Sequence, residues 1–483
     1  MEIKSLKPMP VWDYFYQITQ VPRPSKKEDK IVRYLLDFAK QHGLEAKKDA
    51  ANNVVILKPA TPGKEKVKTV ILQSHVDMVC EKNSDTVFNF EKDPIKPHIE
   101  DGWIKATGTT LGADDGIGVA VALAILSSKE IEHGPIISLF TSDEETGLTG
   151  AFALEKDFLK GDILINLDTE EWSEFCIGCA GGKSTTGTFT YKNTAPSADY
   201  FWFDVQVSGL NGGHSGSDIN VGLGNANQIL TRYLWSLLQE CPIVLATIDG
   251  GNLHNAIARE ARATAGVPVT FKEQTRVLLN HLQAQVSAEL AKVDPNVQLS
   301  LQSTETPKNC IDFETGKALI QALYAMPHGV IGMSHEISGL VETSTNFASV
   351  KMKDDCKIAV MTSQRSSTDS LKLDIVNKVT SVFRLAGAEV KSTEGYPGWK
   401  PNPNSNILKL SEKIFEKLFG EKPKVIAIHA GLECGLFFEK NPNLDMISCG
   451  PTILGAHSPD ERMEIETVKK WWDFLVELLA SIR

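Results

Sequence analysis

A chain of 483 residues is long enough for two or three domains with substantial hydrophobic cores. Its formal charge of −11 argues against a surface that binds nucleic acid or an anionic membrane. Residues 1–4 contain no apolar signal core and no apolar run reaches membrane-spanning length, so we expect a soluble, cytoplasmic protein. The eight cysteines include one isolated Cys-x-x-Cys pair, Cys176 and Cys179, and we expect free thiols throughout.

The first 186 residues alternate between predicted helices and strands. The predicted elements are a helix over residues 11–19, a helix after the capping-box pattern Ser25-Lys-Lys-Glu28, a strand over 67–73, a helix over 116–126, and strands over 135–141 and 162–167. The three strands are apolar and β-rich, as buried parallel strands are. The segment 116–126, GIGVAVALAIL, is too apolar for a surface helix. We therefore predict an α/β domain with an open, mostly parallel sheet around a buried helix.

From residue 187 the pattern changes to that of an inserted α+β domain. Its predicted elements are strand 201–207, helix 225–239, strands 243–249 and 261–269, helix 272–292 and strand 297–301, then helix 314–324, strands 340–350 and 357–363, helix 371–385 and strand 389–392. The first six have the βαββαβ order of a ferredoxin-like unit, which the others enlarge. We assign residues 187–395 to this inserted domain. Residues 396–483 return to an α/β pattern, and we expect them to complete the domain that residues 1–186 begin.

Side chains that can bind metal follow the predicted strand ends of the first domain. They are His75, Glu144, Glu145 and Asp168, together with His457 after a strand over residues 446–449 and Asp114 at the head of the buried helix. Sites in open α/β sheets form at the carboxyl ends of strands, and histidine and carboxylate are usual zinc ligands. Each residue alone has a structural explanation: a core histidine, a solvated charge run, a turn residue or a helix N-cap. Their coincidence at one sheet edge favours a metal site.

The same cluster suffices for a hydrolytic centre. Its two histidines, with Asp114, Glu145 and Asp168, can hold two metals that share a bridging carboxylate. Asp77 stands two residues after His75 and can orient its ring. Glu144 is left uncommitted, and a metal-activated water needs such a group as general base.

Five segments in combination resemble the signature motifs of the M20 metallopeptidase family. They are His75-Val-Asp77, Gly112-Ala-Asp-Asp-Gly116, Glu144-Glu145, Asp168 and Gly455-Ala-His-Ser458. The segment Gly209-Leu-Asn-Gly-Gly-His-Ser-Gly216 resembles the histidine loop in the inserted domain of that family. Within the family, the chain is similar end to end to members that hydrolyse Xaa-His and other dipeptides. That closer match is carried by residues 111–118, 179–182, 221–227 and 429–435.

The resemblance implies a role for each residue of the metal cluster. By it, His75 and Asp168 hold one zinc ion, Glu145 and His457 hold another, and Asp114 bridges the two with a cis peptide bond to Asp115. Co²⁺ or Mn²⁺ are possible substitutes. Glu144 would be the general base that activates a metal-bound water, and Asp77 would orient His75.

The resemblance also implies that the inserted domain is a lid that binds the substrate. The implied substrate-binding residues are His214, Asn255, Arg365 and Gly431. His214 would stabilise the transition state, and Gly431 would line the pocket. Arg365, after the strand over 357–363, would anchor the free carboxylate of the substrate and so restrict the enzyme to dipeptides.

The implied function is hydrolysis of unblocked dipeptides, including Xaa-His dipeptides, by a di-zinc centre. An N-acyl amino acid amidohydrolase with the same metals is an alternative that only a substrate panel can separate. A catalytically inactive binding protein is a second alternative, against which Glu144 and the complete ligand set count. The expected partners are small dipeptides, without nucleic acid or membrane, and a second copy of the chain in a homodimer formed through the inserted domain.

Overall fold

The computed structural model describes residues 2–483, which form two compact units. Unit 1 runs to Cys179 and resumes with Trp399–Ala427 and Leu432–Arg483. Unit 2 comprises Ala180–Gly398 and Ile428–Gly431. The short segment Ile428–Gly431 therefore belongs to a different unit from the residues on either side of it. Among the helices of residues 2–483, none combines the length and apolar character needed to cross a bilayer.

Unit 1 contains a mixed sheet surrounded by helices. With elements numbered along the whole chain, its helices are α1 (Met9–Thr19), α2 (Asp29–His42), α3 (Ala113–Ser127), α4 (Thr149–Ala153), α9 (Asn406–Phe419), α10 (Glu433–Lys440) and α11 (Ile465–Ser481). Its strands are β1 (Glu45–Lys48), β2 (Val54–Lys58), β3 (Val70–His75), β4 (Pro97–Glu100), β5 (Trp103–Ala106), β6 (Ile136–Thr141), β7 (Ile163–Asn166), β8 (Glu174–Cys179), β20 (Lys424–Ile428), β21 (Asp445–Ser448), β22 (Ile453–Leu454) and β23 (Arg462–Glu464).

The main sheet of unit 1 has the strand order β1-β2-β6-β3-β7-β21-β8-β20. Its four central strands, β6, β3, β7 and β21, are parallel to their neighbours among the four. Antiparallel partners, β2 and β8, flank them. Strands β22, β23, β5 and β4 form a separate four-stranded sheet. The expected open, mostly parallel α/β sheet is confirmed.

Helix α3 lies at the centre of unit 1. Every residue from Ala113 to Leu126 is buried, as the apolar sequence predicts. Each fully buried Val, Leu or Ile side chain stabilises the fold by roughly 1.5–3 kcal/mol relative to exposure, so α3 is a rigid support for whatever stands at its first turn. Asp114 and Asp115 are the exceptions to helical geometry in α3, and the peptide bond between them is cis.

Unit 2 is built on one large antiparallel sheet. The strands of unit 2 as a whole are β9 (Gly181–Thr190), β10 (Asn193–Thr194), β11 (Tyr200–Ser208), β12 (Val244–Gly250), β13 (Ala261–Pro268), β14 (Gln298–Ser303), β15 (Cys310–Ile311), β16 (Gly329–Met333), β17 (Val341–Lys353), β18 (Lys357–Ser366) and β19 (Glu389–Ser392). Its helices are α5 (Ala226–Glu240), α6 (Lys272–Glu289), α7 (Phe313–Ala325) and α8 (Asp369–Leu385).

The sheet order in unit 2 is β14-β11-β13-β12-β17-β18-β9-β19. Strands β14, β11, β13 and β12 with helices α5 and α6 form the expected ferredoxin-like unit, and the remaining strands extend its sheet. Phe203, Val205 and Val207 alternate along β11 and share a core with Leu230 and Leu234 of α5. This arrangement is compatible with the expected enlarged α+β domain.

Two local expectations are wrong. The Ser25-Lys-Lys-Glu28 segment is no capping box, because α2 begins at Asp29 and its first turn receives no side-chain hydrogen bond from the N-cap Glu28. The hydroxyl of Ser25 instead donates to Asp77 Oδ2 at 2.8 Å. Strand β18 continues to Ser366, so Arg365 lies within the strand, where it pairs with Gly182, rather than after its end.

Candidate active site

The predicted metal ligands of unit 1 converge at one edge of its main sheet. Strand β3 ends at His75, and the parallel strand β7 ends at Asn166, shortly before Asp168. Strand β6 ends at Thr141, paired with His75, and the chain then reaches Glu144 and Glu145. Because these strands are parallel, their carboxyl ends share an edge. The first turn of α3 brings Asp114 to the same place.

Asp114 stands between two histidines. Its Oδ1 lies 3.0 Å from Nε2 of His75, and its Oδ2 lies 3.0 Å from Nε2 of His457. On the first side, His75 Nε2 is also 3.5 Å from Asp168 Oδ1. On the second side, His457 Nε2 is 3.1 Å from Glu145 Oε2. The five side chains therefore form two groups of nitrogen and oxygen atoms that share the carboxylate of Asp114.

These separations fit a pair of divalent metal ions. Ligand atoms arranged tetrahedrally about 2.0–2.2 Å from zinc lie about 3.3 Å from one another, close to the distances within each group. One candidate ligand set within residues 2–483 is His75, Asp114 and Glu145, whose ligand atoms all lie within 4.8 Å of one another. The oxygen Glu145 Oε1 is buried without a hydrogen-bond partner in the same part of the chain. The donor set is the one that zinc and related ions prefer.

The carboxylates shift one another's protonation. Burial, together with the charges of Glu433, Glu145 and Asp114, raises the pKa of Glu144 to about 8. Burial and the charge of Asp114 also raise the pKa of Asp168 well above its usual range. Asp114 is buried too, but hydrogen bonds to the two histidines hold its pKa below the usual range. A buried centre with this excess of acidic groups favours a bound cation.

Asp77 fixes the positions of three neighbouring site residues. Its Oδ1 lies 3.5 Å from Nδ1 of His75, so the Nε2 atom of that ring faces Asp114. The backbone N–H groups of Glu144 and Glu145 donate to the same carboxylate at 3.0 and 3.2 Å. Hydrogen bonding to His75, which offsets burial, lowers the pKa of Asp77 to about 2. Asp77 is therefore a charged support rather than a proton donor at neutral pH.

Glu461 supports the segment that leads to Asp114. Its buried carboxylate accepts the backbone N–H groups of Leu111, Gly112, Ala113 and Asp114, at 2.7, 2.9, 2.7 and 3.3 Å. Glu461 follows His457 in the same loop, where Glu461 N–H donates to the carbonyl of Ser458. This carboxylate therefore links the His457 loop to the segment that carries Asp114.

Arg23 supports the same region from the other side. Its guanidinium is buried and donates to the carbonyls of Val76, Asp77 and Gly112. A Cβ on Gly112 or Gly116 would come 2.6 Å from Nη2 of Arg23, so glycine at these positions leaves room for the guanidinium. Arg23 thus joins the segment after β3 to the start of α3.

A buried polar network lies beneath the site. Glu433 Oε2 accepts hydrogen bonds from Gln73 Nε2 at 2.7 Å and from Thr141 Oγ1 at 2.8 Å. Gln73 in turn accepts from Asn166 Nδ2 at 2.6 Å. Gln73 precedes His75 by two residues on β3, so both side chains point to the same face. The network links the strand ends that carry the predicted ligands.

The predicted substrate-binding residues all belong to unit 2. His214 Nδ1 accepts backbone N–H groups from Gly216 at 3.3 Å and Ser217 at 3.2 Å. A nitrogen that accepts two N–H groups carries no proton, so neutral His214 has its proton on Nε2. Burial, followed by the charge of Arg365, lowers the pKa of His214 and keeps the ring neutral. The carbonyl of Asn255 accepts the N–H of Ser215 and so holds the same loop.

Arg365 and Gly431 share a neighbour in unit 2. The residue Arg365 is 6% exposed, and its Nη1 donates to the hydroxyl of Tyr396 at 2.9 Å. A Cβ on Gly431 would lie 2.7 Å from the ring of the same tyrosine. His429 also lies in this unit, where its Nε2 is 2.7 Å from Ser344 Oγ.

Sequence reasoning missed several of these supporting residues. They are Arg23, Gln73, Tyr396, Glu433 and Glu461. For Gln73 a signal existed, because a polar residue inside an apolar strand two positions before a predicted ligand shares its face. For the others the partner is distant in sequence, so local patterns could not identify it. The residue Tyr396 was assigned only to the boundary of the inserted domain.

Known proteins are similar to this chain over its full length. The Escherichia coli (strain K12) cytosol non-specific dipeptidase is 44% identical over 481 residues, covering 100% of this chain and 99% of that protein. The crystal structure of aminoacylhistidine dipeptidase from Vibrio alginolyticus superposes with a TM-score of 0.93 at 43% identity, covering 100% and 98% of the two chains. A tripeptidase from Staphylococcus aureus shares the fold, with a TM-score of 0.57 at 17% identity over 98% of each chain. Residues 71–481 match the model of peptidase family M20/M25/M40, and the chain belongs to that family.

Proposed function

We propose that the protein is a di-zinc metallopeptidase that hydrolyses unblocked dipeptides, including Xaa-His dipeptides. The observation that carries the proposal is the position of Asp114, whose two oxygens each face a different histidine at 3.0 Å. A carboxylate in that position suits two metal ions that share it. The substrate class is supported by two relatives, both named dipeptidases, at 44% and 43% identity over nearly their full lengths.

Each metal would have its own ligands and share Asp114. His75 and Asp168 would hold one ion, and Glu145 and His457 would hold the other. When bound, the metals would polarise the peptide carbonyl and lower the pKa of a water in the site. The supporting hydrogen bonds to the backbone around Asp114 would keep these side chains in place as metal and substrate exchange.

Glu144 would move the proton in the reaction. Its carboxylate has no fixed partner in the two ligand groups, and its backbone is held by Asp77. It would accept a proton from the attacking water and pass it to the departing amine. Cations in the site would offset the acidic neighbours that raise its pKa, so that Glu144 could serve as a base near neutral pH.

His214 would stabilise the oxyanion as a neutral donor. Its Nδ1 is committed as an acceptor of two backbone N–H groups, so Nε2–H is the group left for a substrate oxygen. Asn255 and Gly431 would complete the substrate-binding surface of unit 2. Arg365 would bind the free C-terminal carboxylate, a task suited to a planar, permanently charged donor.

A substrate panel with chelator controls tests the proposal. Metal-loaded protein should cleave unblocked dipeptides, including Xaa-His, and should cleave N-acetyl amino acids and longer peptides poorly. A chelator should remove the activity, and Zn²⁺, Co²⁺ or Mn²⁺ should restore it. Preference for N-acetyl amino acids would establish the amidohydrolase alternative, and full activity in chelator without bound metal would refute the metal centre.

Two further features concern the cell compartment and the oligomeric state. The relative from Escherichia coli is named a cytosol dipeptidase, and we propose the same compartment for this protein. We also propose a homodimer formed through unit 2. Sedimentation equilibrium of the full chain would measure the oligomeric state, and a monomer at micromolar concentration would contradict the second proposal.

A further inference from the structure

We propose that Tyr396 sets the orientation of the Arg365 guanidinium and thereby determines how strongly the enzyme selects substrates with a free C-terminal carboxylate. The inference rests on the proposed function, in which Arg365 binds that carboxylate. Tyr396 acts through Arg365, so it is a positioning residue rather than a catalytic one. All the residues involved belong to unit 2.

Among residues 2–483, Arg365 has one nitrogen with a hydrogen-bond partner and another without one. One of its terminal nitrogens, Nη1, donates to the hydroxyl of Tyr396 at 2.9 Å. Its Nε is buried and has no hydrogen-bond partner among residues 2–483. A buried, charged donor without a partner loses free energy unless a ligand accepts from it. Arg365 is therefore prepared to receive an anionic group.

The charge of Arg365 acts on neighbouring histidines. Three histidines lie within its electrostatic range: His214, His254 and His429. Burial, followed by the charge of Arg365, lowers the pKa of each of them, to about 4 for His429. The histidines therefore stay neutral near pH 7, and Arg365 is the positive group that a carboxylate would meet.

Tyr396 is held both by packing of its ring and by hydrogen bonds of its backbone. Its ring lies against Gly182 and Gly431, where an added Cβ would come within 2.5 and 2.7 Å of ring or hydroxyl atoms. Its backbone is bonded in both directions to Gly182, with N–O distances of 2.9 and 3.1 Å. The ammonium group of Lys372 also donates to its carbonyl, at 2.8 Å. Because both neighbours are glycine, the ring of Tyr396 packs closely against them, and this packing restricts movement of the phenol.

The backbone links Arg365 to the segment that holds Tyr396. Gly182 of β9 is the direct partner of Arg365 on β18, so the segment that holds Tyr396 is bonded to the neighbour of the arginine itself. With Nη1 bonded to a fixed phenol, the plane of the guanidinium is defined. The remaining N–H groups then point in fixed directions, as two-point binding of a carboxylate requires. Without the Tyr396 hydroxyl, Arg365 would keep its positive charge, but its guanidinium could rotate.

The test is Tyr396→Phe in the metal-loaded, full-length protein. This change removes the hydroxyl and keeps the ring between the two glycines. For a free dipeptide we expect KM to rise about tenfold, a loss typical of one hydrogen bond to a charged group, with kcat nearly unchanged. For the C-terminally amidated dipeptide we expect little change, so the discrimination between the two substrates should fall by about the same factor.

A matched control and a second variant accompany it. Tyr233→Phe removes another buried phenol in unit 2, whose hydroxyl donates to the carbonyl of Thr275 at 2.9 Å, and should leave the discrimination unaltered. Gly182→Ala keeps the hydroxyl but places a methyl group against the ring of Tyr396, and should reduce the discrimination as well. Thermal melting of each variant identifies loss of folding.

Arg365→Ala separates the failure of this inference from that of the proposed function. If Arg365→Ala removes the discrimination but Tyr396→Phe leaves it at the wild-type value, Arg365 is the anchor and Tyr396 does not position it. If Arg365→Ala retains the discrimination, the anchor is elsewhere and both the inference and that part of the proposed function are overturned. A fall in kcat alone in Tyr396→Phe would also overturn the inference.

Discussion

The carboxylate of Glu461 accepts the backbone N–H of Asp114, the residue whose two oxygens face His75 and His457. Three preceding N–H groups, from Leu111 to Ala113, donate to the same carboxylate. A carboxylate accepts at both oxygens, whereas an amide accepts at one. Glu461 is therefore suited to hold Asp114 in place before any ligand binds.

We predict that Glu461→Gln weakens metal binding more than it weakens the fold. The amide nitrogen would face backbone N–H groups and displace the segment before Asp114. Loss of a group that orients a metal ligand typically lowers metal affinity by about 10- to 100-fold. Elemental analysis after dialysis against graded chelator should show less bound metal than the wild type, and excess metal should restore activity.

The control for that variant is Glu466→Gln. Glu466 is an exposed residue in the first turn of α11 and pairs with Lys470. It should leave metal content unaltered. If Glu461→Gln binds metal with wild-type affinity, Glu461 has only a structural role.

Replacing Glu144 with glutamine should remove most turnover and keep the metals. The change preserves the size of the side chain and the backbone hydrogen bond to Asp77, but an amide cannot accept the proton of a water. We expect kcat to fall by about 10²- to 10⁴-fold, with metal content by elemental analysis close to that of the wild type. Glu155→Gln, at an exposed position between α4 and β7, is the matched control. Wild-type kcat in Glu144→Gln would place the base elsewhere.

His214→Ala should lower kcat far more than it raises KM. A neutral Nε2–H donor that acts on a developing oxyanion contributes mainly in the transition state, and its loss typically costs about 10²- to 10³-fold. Steady-state kinetics on an unblocked dipeptide separates the two constants. The exposed His335 provides the control variant His335→Ala. A change confined to KM would make His214 a binding residue only.

The sequence could predict which side chains meet in unit 1 because regular elements carry them. Strand ends and the head of an apolar helix are recognisable from local patterns, and parallel strands bring their ends together. The pair Asp114 and Asp115 also illustrates the limit of such patterns. Asp115 Oδ1 accepts the N–H of Gly118, whereas the carboxylate of Asp114 faces the two histidines.

What could not be predicted depends on contacts between distant segments. Glu461 acts on Leu111, and Glu433 acts on Gln73, in each case across more than 300 residues of chain. Ser25 has the residue type of a helix cap but donates to Asp77, because the tertiary partner offers a charged acceptor. Tyr396 is placed by glycines in two other segments. No local propensity encodes such pairs.

A last prediction concerns the stability of unit 2 at acid pH and rests on His328. Its Nδ1 accepts the backbone N–H of Phe347 at 3.2 Å, and Asn225 Nδ2 lies 3.4 Å away. Burial lowers the pKa of His328 to about 4, below its ordinary value of 6.5. The unfolded chain therefore takes up this proton more readily than the folded one, so the contribution of His328 to stability is complete above about pH 6.5 and is lost as the pH falls towards 4. The loss of folding stability is at most about 3 kcal/mol.

In His328→Gln, the melting temperature should decline less between pH 7.5 and 4.5 than in the wild type, whereas the exposed His281→Gln should follow the wild type. Parallel declines in wild type and His328→Gln would show that this histidine does not titrate with unfolding.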